Sequence, residues 1–415
     1  MTVPEASSRA PEGVTRQLGL VTGWQVVAST CFYALFAGTA LLRDAVGISR
    51  FQVGIVVTAA TLGYTVALFP VGAAVDGAGE KPVLVGGLLA LAAGVGAVAL
   101  SGSFLTLLAA ACLLGAAYAT AMPATNRAIV TSVPSAVRGR AMGIKQVGVT
   151  GGSGVAAVLV VSLAPSVGAW NLGFLVAGGV AALVAVAFAV GYRGAPGGQW
   201  RLPDVRALAG NRAYAALAAA GFCLGAALFT TVGYATLYLT DAVRVSVAVA
   251  GLDGAVYGAV AGLGFAAMQV SGSAGRVVAG WLADRREESE ARANASVLLG
   301  QAALGVLLLA ALAIPGLSKP VALALLVGVG ATVLGFTGLY YACMTALVPT
   351  DEVGAATAGG QTALNGGALL APPAFGYLAD AISFRASWAL LAGVATVGVA
   401  LLAVTIRRTG DPTAG

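Results

Sequence analysis

Apolar residues in this chain run in long, nearly unbroken stretches, each followed by a short polar segment. A helix needs about 20 apolar residues to cross the hydrocarbon core of a bilayer. Stretches of that length lie near 22–42, 52–74, 82–101, 104–126, 141–164, 168–192, 213–239, 254–282, 295–314, 320–345, 355–379 and 385–406. The eighth has the least defined limits, because its surroundings are apolar from Ala248 to Ala283, more than one span requires. The pattern predicts an all-α membrane protein with twelve transmembrane helices. The polar segment 1–21 leads straight into the first stretch, which lacks a small-residue cleavage site. It therefore reads as an uncleaved first helix, not a signal peptide.

Composition agrees: 59% of the residues are hydrophobic and only 9% charged. Soluble domains carry about 25% charged residues, so most of this surface must meet lipid. The 59 glycines suit close helix crossings in a membrane. Sorted by side, with the N-terminus inside, seventeen of the 22 basic residues fall on inner segments. The positive-inside rule then places both termini in the cytoplasm and supports an even number of helices. The net charge of +6 is spread over many short loops, which argues against a nucleic-acid surface. Histidine is absent, so a histidine-based metal site, triad or proton relay is excluded. Cys31, Cys112, Cys223 and Cys343 stand alone in apolar runs, with no metal or disulfide spacing. No phosphate-binding Gly-x-x-x-x-Gly-Lys-Ser/Thr loop occurs. No cofactor, metal or enzymatic activity is expected. The prevalence of arginine, alanine, glycine and valine suggests a bacterial source and an inner (plasma) membrane location.

The chain also repeats. The polar segment 193–212 is the longest connection and reads as a cytoplasmic linker between six-helix halves, 22–192 and 213–406, followed by a tail, 407–415. Gly72-Ala-Ala-Val-Asp76 at the end of the second span recurs as Gly280-Trp-Leu-Ala-Asp284 at the end of the eighth. Val133-Pro134, Gly139, Gln146 and Gly151-Gly152 recur as Val348-Pro349, Gly354, Gln361 and Gly366-Gly367. Parallel repeats with a binding site at their interface are one plan for a secondary transporter.

Those motifs resemble the major facilitator superfamily. Its signature between helices two and three, roughly Gly-x-x-x-Asp-Arg-x-Gly-Arg-Lys, is matched here by Gly72, Asp76, Gly79 and Lys81. Gly77 and Glu80 stand where the family has basic residues. The second copy continues as Arg285-Arg286, and a third echo, Gly376-Tyr-Leu-Ala-Asp380, ends the eleventh span. The resemblance implies a cytoplasmic latch built on Asp76 and Asp284, with Lys81, Arg138, Arg140, Arg285 and Arg286 as candidate partners. A carboxylate at a helix end can also bind the positive N-terminus of a neighbouring helix. The stretch Pro123 to Gly152 is similar to bacterial cyanate and organic-anion permeases.

The same resemblance implies that helices 1, 4, 7 and 10, with faces of 2, 5, 8 and 11, line a central path. Polar and aromatic residues at helical spacing on those helices give the candidates: Gln25, Ser29, Tyr33, Tyr118, Asn126, Gln146, Tyr234, Gln269, Gln361 and Asn365. Two cations lie inside spans, Lys145 in the fifth and Arg276 in the eighth. If both face the path, they favour an anionic solute, since a buried cation without a partner is costly. No Asp or Glu lies at the middle of any span, which leaves a proton carrier unassigned. The expected function is secondary active transport of a small organic anion by a monomer in the bilayer, with protons as a candidate coupling ion. Drug or metabolite efflux is the alternative.

Overall fold

The computed structural model describes residues 12–134, 138–167, 169–200, 208, 210–243, 253–349 and 353–409. Fifteen α-helices occupy them. The N-terminal half holds α1 (Glu12–Ala37), α2 (Thr39–Val46), α3 (Arg50–Ala78), α4 (Glu80–Ala99), α5 (Phe104–Tyr118), α6 (Ala121–Ser132), α7 (Arg138–Val167) and α8 (Leu172–Gly191). The C-terminal half holds α9 (Arg212–Tyr238), α10 (Asp253–Asp284), α11 (Glu290–Leu312), α12 (Lys319–Val329), α13 (Thr337–Ala346), α14 (Val353–Ala381) and α15 (Phe384–Thr409). Ten helical stretches among the described residues are long and apolar enough to cross a membrane, α5 with α6 and α12 with α13 each making one. At the usual rise, α10 and α14 are ~48 and ~44 Å long and complete twelve spans.

Local sequence sets the helix ends. Ser49 and Gln52 form a reciprocal capping box at the start of α3, and Ser103 with Thr106 does the same for α5. Asn211 accepts from the Tyr214 N–H at the start of α9. Gly79, at φ +86°, makes the sharp turn between α3 and α4.

Four spans depart from the expected outlines, the seventh by running on past Tyr238 as a π-helical turn, Leu239–Val243. The first helix begins at Glu12 instead of residue 22, and it breaks at Gly38 before the short α2. The fourth span runs on to Ser132 and is interrupted between Tyr118 and Ala121. The tenth is split by a π-helical turn, Gly330–Leu334, in which the Gly335 N–H reaches back to the Gly330 carbonyl at 3.1 Å. Hydropathy reports the apolar length of a span but not such local changes of winding.

Each half packs through small-residue crossings, where backbones approach without side chains between them. Gly115 of α5 lies against the Ala60 backbone of α3, and Gly225 of α9 against that of Leu364 on α14. The halves meet along two seams, α3 on α14 and α7 on α10. Pro373 has no N–H to give the Leu369 carbonyl one turn back. That carbonyl instead accepts from the Thr58 hydroxyl of the other half, at 3.0 Å.

Candidate functional site

A central cavity of about 170 Å³ lies between the halves. Its N-terminal wall is aromatic: Phe32, Tyr33, Tyr64 and Tyr118, with Gln146, Thr61, Thr150 and Ser153. Phe32 and Tyr118 stack with centroids 4.1 Å apart, and Tyr33 meets Tyr118 edge-on. The C-terminal wall carries Arg276, Gln269, Gln361, Thr337 and Tyr341. No carboxylate belongs to the described lining. Below it, a second cavity of about 520 Å³ shares Tyr64, Met122, Tyr341 and Gln361 with the first. It continues past Phe69 and Asn126 to Asp76 at the inner end of α3.

Arg276 is placed by the π-helical turn. The tenth span breaks after Leu334, so the Leu334 carbonyl is left over and accepts from Arg276 Nη2 at 3.2 Å. Gly338 leaves room for the arginine stem, because a Cβ there would sit 2.6 Å from Arg276 Cγ. Arg276 Nε is buried with no hydrogen-bond partner, and no acid among the described residues pairs with the guanidinium. Gln146 Oε1 is likewise buried and unpartnered.

Of the other expected path residues, Tyr33, Tyr118, Gln146, Gln269 and Gln361 line the central cavity, and Asn126 lines the lower one. Gln25 and Ser29 stand behind the wall: Gln25 Nε2 donates to Ser29 Oγ at 3.1 Å, and Ser29 shares a 3.0 Å bond with the Tyr118 hydroxyl. Asn365 backs Gln361, accepting from its Nε2 at 2.9 Å. Lys145 is 1% exposed and lines neither cavity. Its ammonium donates to Asn126 Oδ1 at 2.7 Å, with Met122 Sδ at 3.7 Å. Tyr234 lies apart from both cavities and donates to the Arg50 and Pro372 carbonyls, at 2.5 and 3.0 Å.

Tyr234 belongs to a closure of the outer ends. Asp241 Oδ2 accepts from Arg50 Nε at 3.1 Å, from Arg50 Nη2 at 2.7 Å and from Arg43 Nη1. Asp380, the third motif echo, accepts from the Phe51 N–H at 2.9 Å and so caps the N-terminus of α3. Arg50 reaches the same carboxylate at 3.4 Å. The Thr39 and Thr236 hydroxyls bond across the seam at 2.8 Å. Burial alone would lower the Arg43 pKa, but the hydrogen bonds to Asp44 and Asp241 raise it above its ordinary value. The halves are thus pinned together at the end that holds Asp241 and Asp380, while the lower cavity reaches Asp76 at the opposite end of α3.

The Major Facilitator Superfamily model matches residues 24–363. The chain belongs to the major facilitator superfamily. Solved structures with the same fold include the inward-facing, occupied form of a bacterial homolog to the human lysosomal transporter Spinster. It is 15% identical with a TM-score of 0.77, over 96% of this chain and 98% of that one. The nucleoside transporter NupG is 13% identical with a TM-score of 0.77, over 94% and 99%. The E. coli fucose:proton symporter FucP is 16% identical with a TM-score of 0.61, over 95% and 99%. No curated protein matches the sequence. Membership makes this chain a multi-pass membrane transporter and not an enzyme.

The superfamily signature is occupied in an unexpected way at the inner end. Asp76 pairs with Arg127 of its own half at 3.3 Å, not with Lys81, Arg285 or Arg286. The side chains of Arg138 and Arg140 lie outside the described residues. Asp284 faces solvent, and Arg285 covers the Trp281 ring at 3.7 Å. Gly72 and Gly280 have open space around them. The two departures from the signature answer each other through the linker. Glu80 is fully buried and accepts from Arg127 Nε at 3.2 Å, the Ala195 N–H at 2.7 Å and the Tyr192 hydroxyl at 3.3 Å. Burial, and then this carboxylate, push the Tyr192 phenol above its ordinary range. Gly77 leaves the space that the Trp200 indole fills, and the Gly198 N–H donates to the Asp76 carbonyl at 2.6 Å. A basic side chain at 77 would displace that ring.

Several site residues escape sequence reasoning. Tyr64 stands alone in an apolar run, and Phe32 reads as packing. Asp241 lies where a span meets its outer loop, so nothing local marks it. Asp380 did carry a signal, the third Gly-x-x-x-Asp echo, at the outer end of its helix instead of the inner.

Proposed function

We propose that this protein moves a small organic anion across the membrane by alternating access, with Arg276 holding the negative charge and protons as the candidate coupling ion. The observation that carries the reading is Arg276 itself, a cation whose described surroundings hold no carboxylate and whose buried Nε has no acceptor among the described residues. Leaving such a group unpaired is costly, and an anionic solute supplies both the charge and the acceptor. Gln269, Gln361 and Gln146 add donors around it, while Gln25, Ser29 and Asn365 orient the groups that reach the cavity. Lys145, held by Asn126, is a reserve cation beside the path.

In this reading the inward-open state is held by Asp241 and Asp380. The outward-open state is held by the inner latch, Gly72 to Lys81 with Gly280 to Arg285, once Asp76 leaves Arg127. Arg138 and Arg140 are further partners for that latch. Support comes from the superfamily membership and from the position of each acid at a helix end.

The test is lumenal pH in dye-loaded proteoliposomes, with protein-free liposomes subtracting passive entry of free acids. Small organic anions, sugars and hydrophobic cations are added outside in turn, to wild type, Arg276→Ala and Lys145→Ala. Anion-dependent acidification lost in Arg276→Ala supports the reading. Alkalinisation with hydrophobic cations alone, unchanged in both variants, sinks it in favour of drug antiport.

A further inference from the structure

Aromatic rings line both walls of the central cavity, with Phe229 and Tyr341 on the C-terminal side, but most of them gather on the N-terminal half. Phe32, Tyr33, Tyr64 and Tyr118 of the N-terminal half form a cluster of rings with centroids 4.1 to 6.5 Å apart. The cation, Arg276, stands on the C-terminal half. A solute that fits this lining presents an aromatic face to the ring cluster and a negative charge to Arg276.

Volume sets the size. An apolar cavity of about 150 Å³ accepts one benzene molecule, and this one measures about 170 Å³. One six-membered ring with a single carboxylate fits, whereas a second ring must extend into the lower cavity. One charge is matched as well: among the described lining residues Arg276 is the cation, so a second carboxylate would be buried without a partner. Aromatic rings pack edge-to-face or offset against other rings, a preference that a saturated ring of equal size does not share.

We infer that the solute is a small planar aromatic monocarboxylate, its ring lodged among Phe32, Tyr33, Tyr64 and Tyr118 and its carboxylate on Arg276. This rests on the anion reading above and adds the ring to it. Such a molecule ties the two halves together at mid-membrane, since its ends belong to different halves.

The experiment is scintillation-proximity binding of tritiated benzoate to the purified full-length protein in nanodiscs, which avoids the passive permeation of benzoic acid. Competitors are cyclohexanecarboxylate, benzyl alcohol and phthalate. Saturable benzoate binding is expected, with cyclohexanecarboxylate about tenfold weaker for the lost ring contacts and benzyl alcohol about a hundredfold weaker for the lost charge contact. Phthalate is expected to compete poorly. Arg276→Gln should abolish measurable binding and Arg276→Lys should restore part of it. Tyr118→Phe should retain binding and Tyr118→Leu should weaken it about tenfold. A cooperative melt of each variant checks its folding.

Equal competition by cyclohexanecarboxylate and benzoate overturns the ring requirement while leaving the anion reading in place. Equal competition by benzyl alcohol, or wild-type binding in folded Arg276→Gln, overturns both. Absence of saturable benzoate binding to folded wild type also overturns the inference.

Discussion

Replacing Asp241 with asparagine removes the carboxylate that Arg43 and Arg50 share across the outer seam, while keeping the size of the side chain. A hydrogen bond to a charged group contributes about 1.5–3 kcal/mol. Here three donors share one oxygen, so their contributions do not add. The side chains are 13%, 20% and 29% exposed for Asp241, Arg43 and Arg50, between a solvated pair and a buried one. A surface pair contributes about 0–1 kcal/mol, and breaking a buried pair costs about 3–5 kcal/mol. About 2 kcal/mol is the reasonable middle, and it lowers the ratio of outer-closed to outer-open molecules about 30-fold. The Asp380 cap on α3 is untouched, so the seam should loosen without the protein unfolding. The assay is pulsed electron–electron resonance between spin labels at Ala45 and Ile382, both exposed at the outer end, with the four cysteines replaced. Asp241→Asn should move population to longer distances. Asp44→Asn is the control: it touches the same Arg43, but Asp44 is 67% exposed and lies in the same half. If the two variants give the same distance distribution, the outer closure does not depend on Asp241 and the reasoning fails.

Three further outcomes are expected. Gly54→Ala places a Cβ within 2.6 Å of the Tyr234 hydroxyl and the Pro372 carbonyl carbon. It should open the outer seam like Asp241→Asn but without sensitivity to salt, a difference the same spin-label pair resolves at low and high ionic strength. Glu80→Gln keeps the acceptors for Ala195 and Tyr192 but strips Arg127 of its buried counter-charge. With Arg127 partly exposed, the loss should be about 2 kcal/mol in detergent-induced unfolding, against no change for the solvated Glu287→Gln. Asn126→Leu leaves the Lys145 ammonium without its acceptor and should cost about 1–3 kcal/mol. Adding Lys145→Met to that variant should recover most of it, and strictly additive losses in the double-mutant cycle would refute the pairing.

The sequence by itself determined the membrane class, the twelve spans and the superfamily, and it carries the charge asymmetry from which the side of the termini is inferred. These depend on properties that add along the chain: apolar length, the count of cations per loop and the spacing of a short motif. A bilayer reads them locally, because each helix satisfies its own backbone hydrogen bonds. The candidate path was legible in part for the same reason. Tyr33, Tyr118, Gln269, Arg276 and Gln361 could be selected because a polar or ionised side chain is costly against lipid and turns inward.

Tertiary structure decided the rest, since it depends on which distant residues meet. Asp241 finds Arg50 across 191 positions, and Glu80 finds Ala195 across 115. A glutamate in place of a basic signature residue looked like a weakened motif and is a buried anchor for the linker. Lys145 and Arg276 looked alike as cations one or two turns inside a span, yet one is held by Asn126 behind the wall and the other faces the cavity. Spacing along a helix gives the angle of a side chain about its own axis. It does not say what stands opposite, and at mid-membrane the partner opposite decides whether a charge is structural or available to a solute.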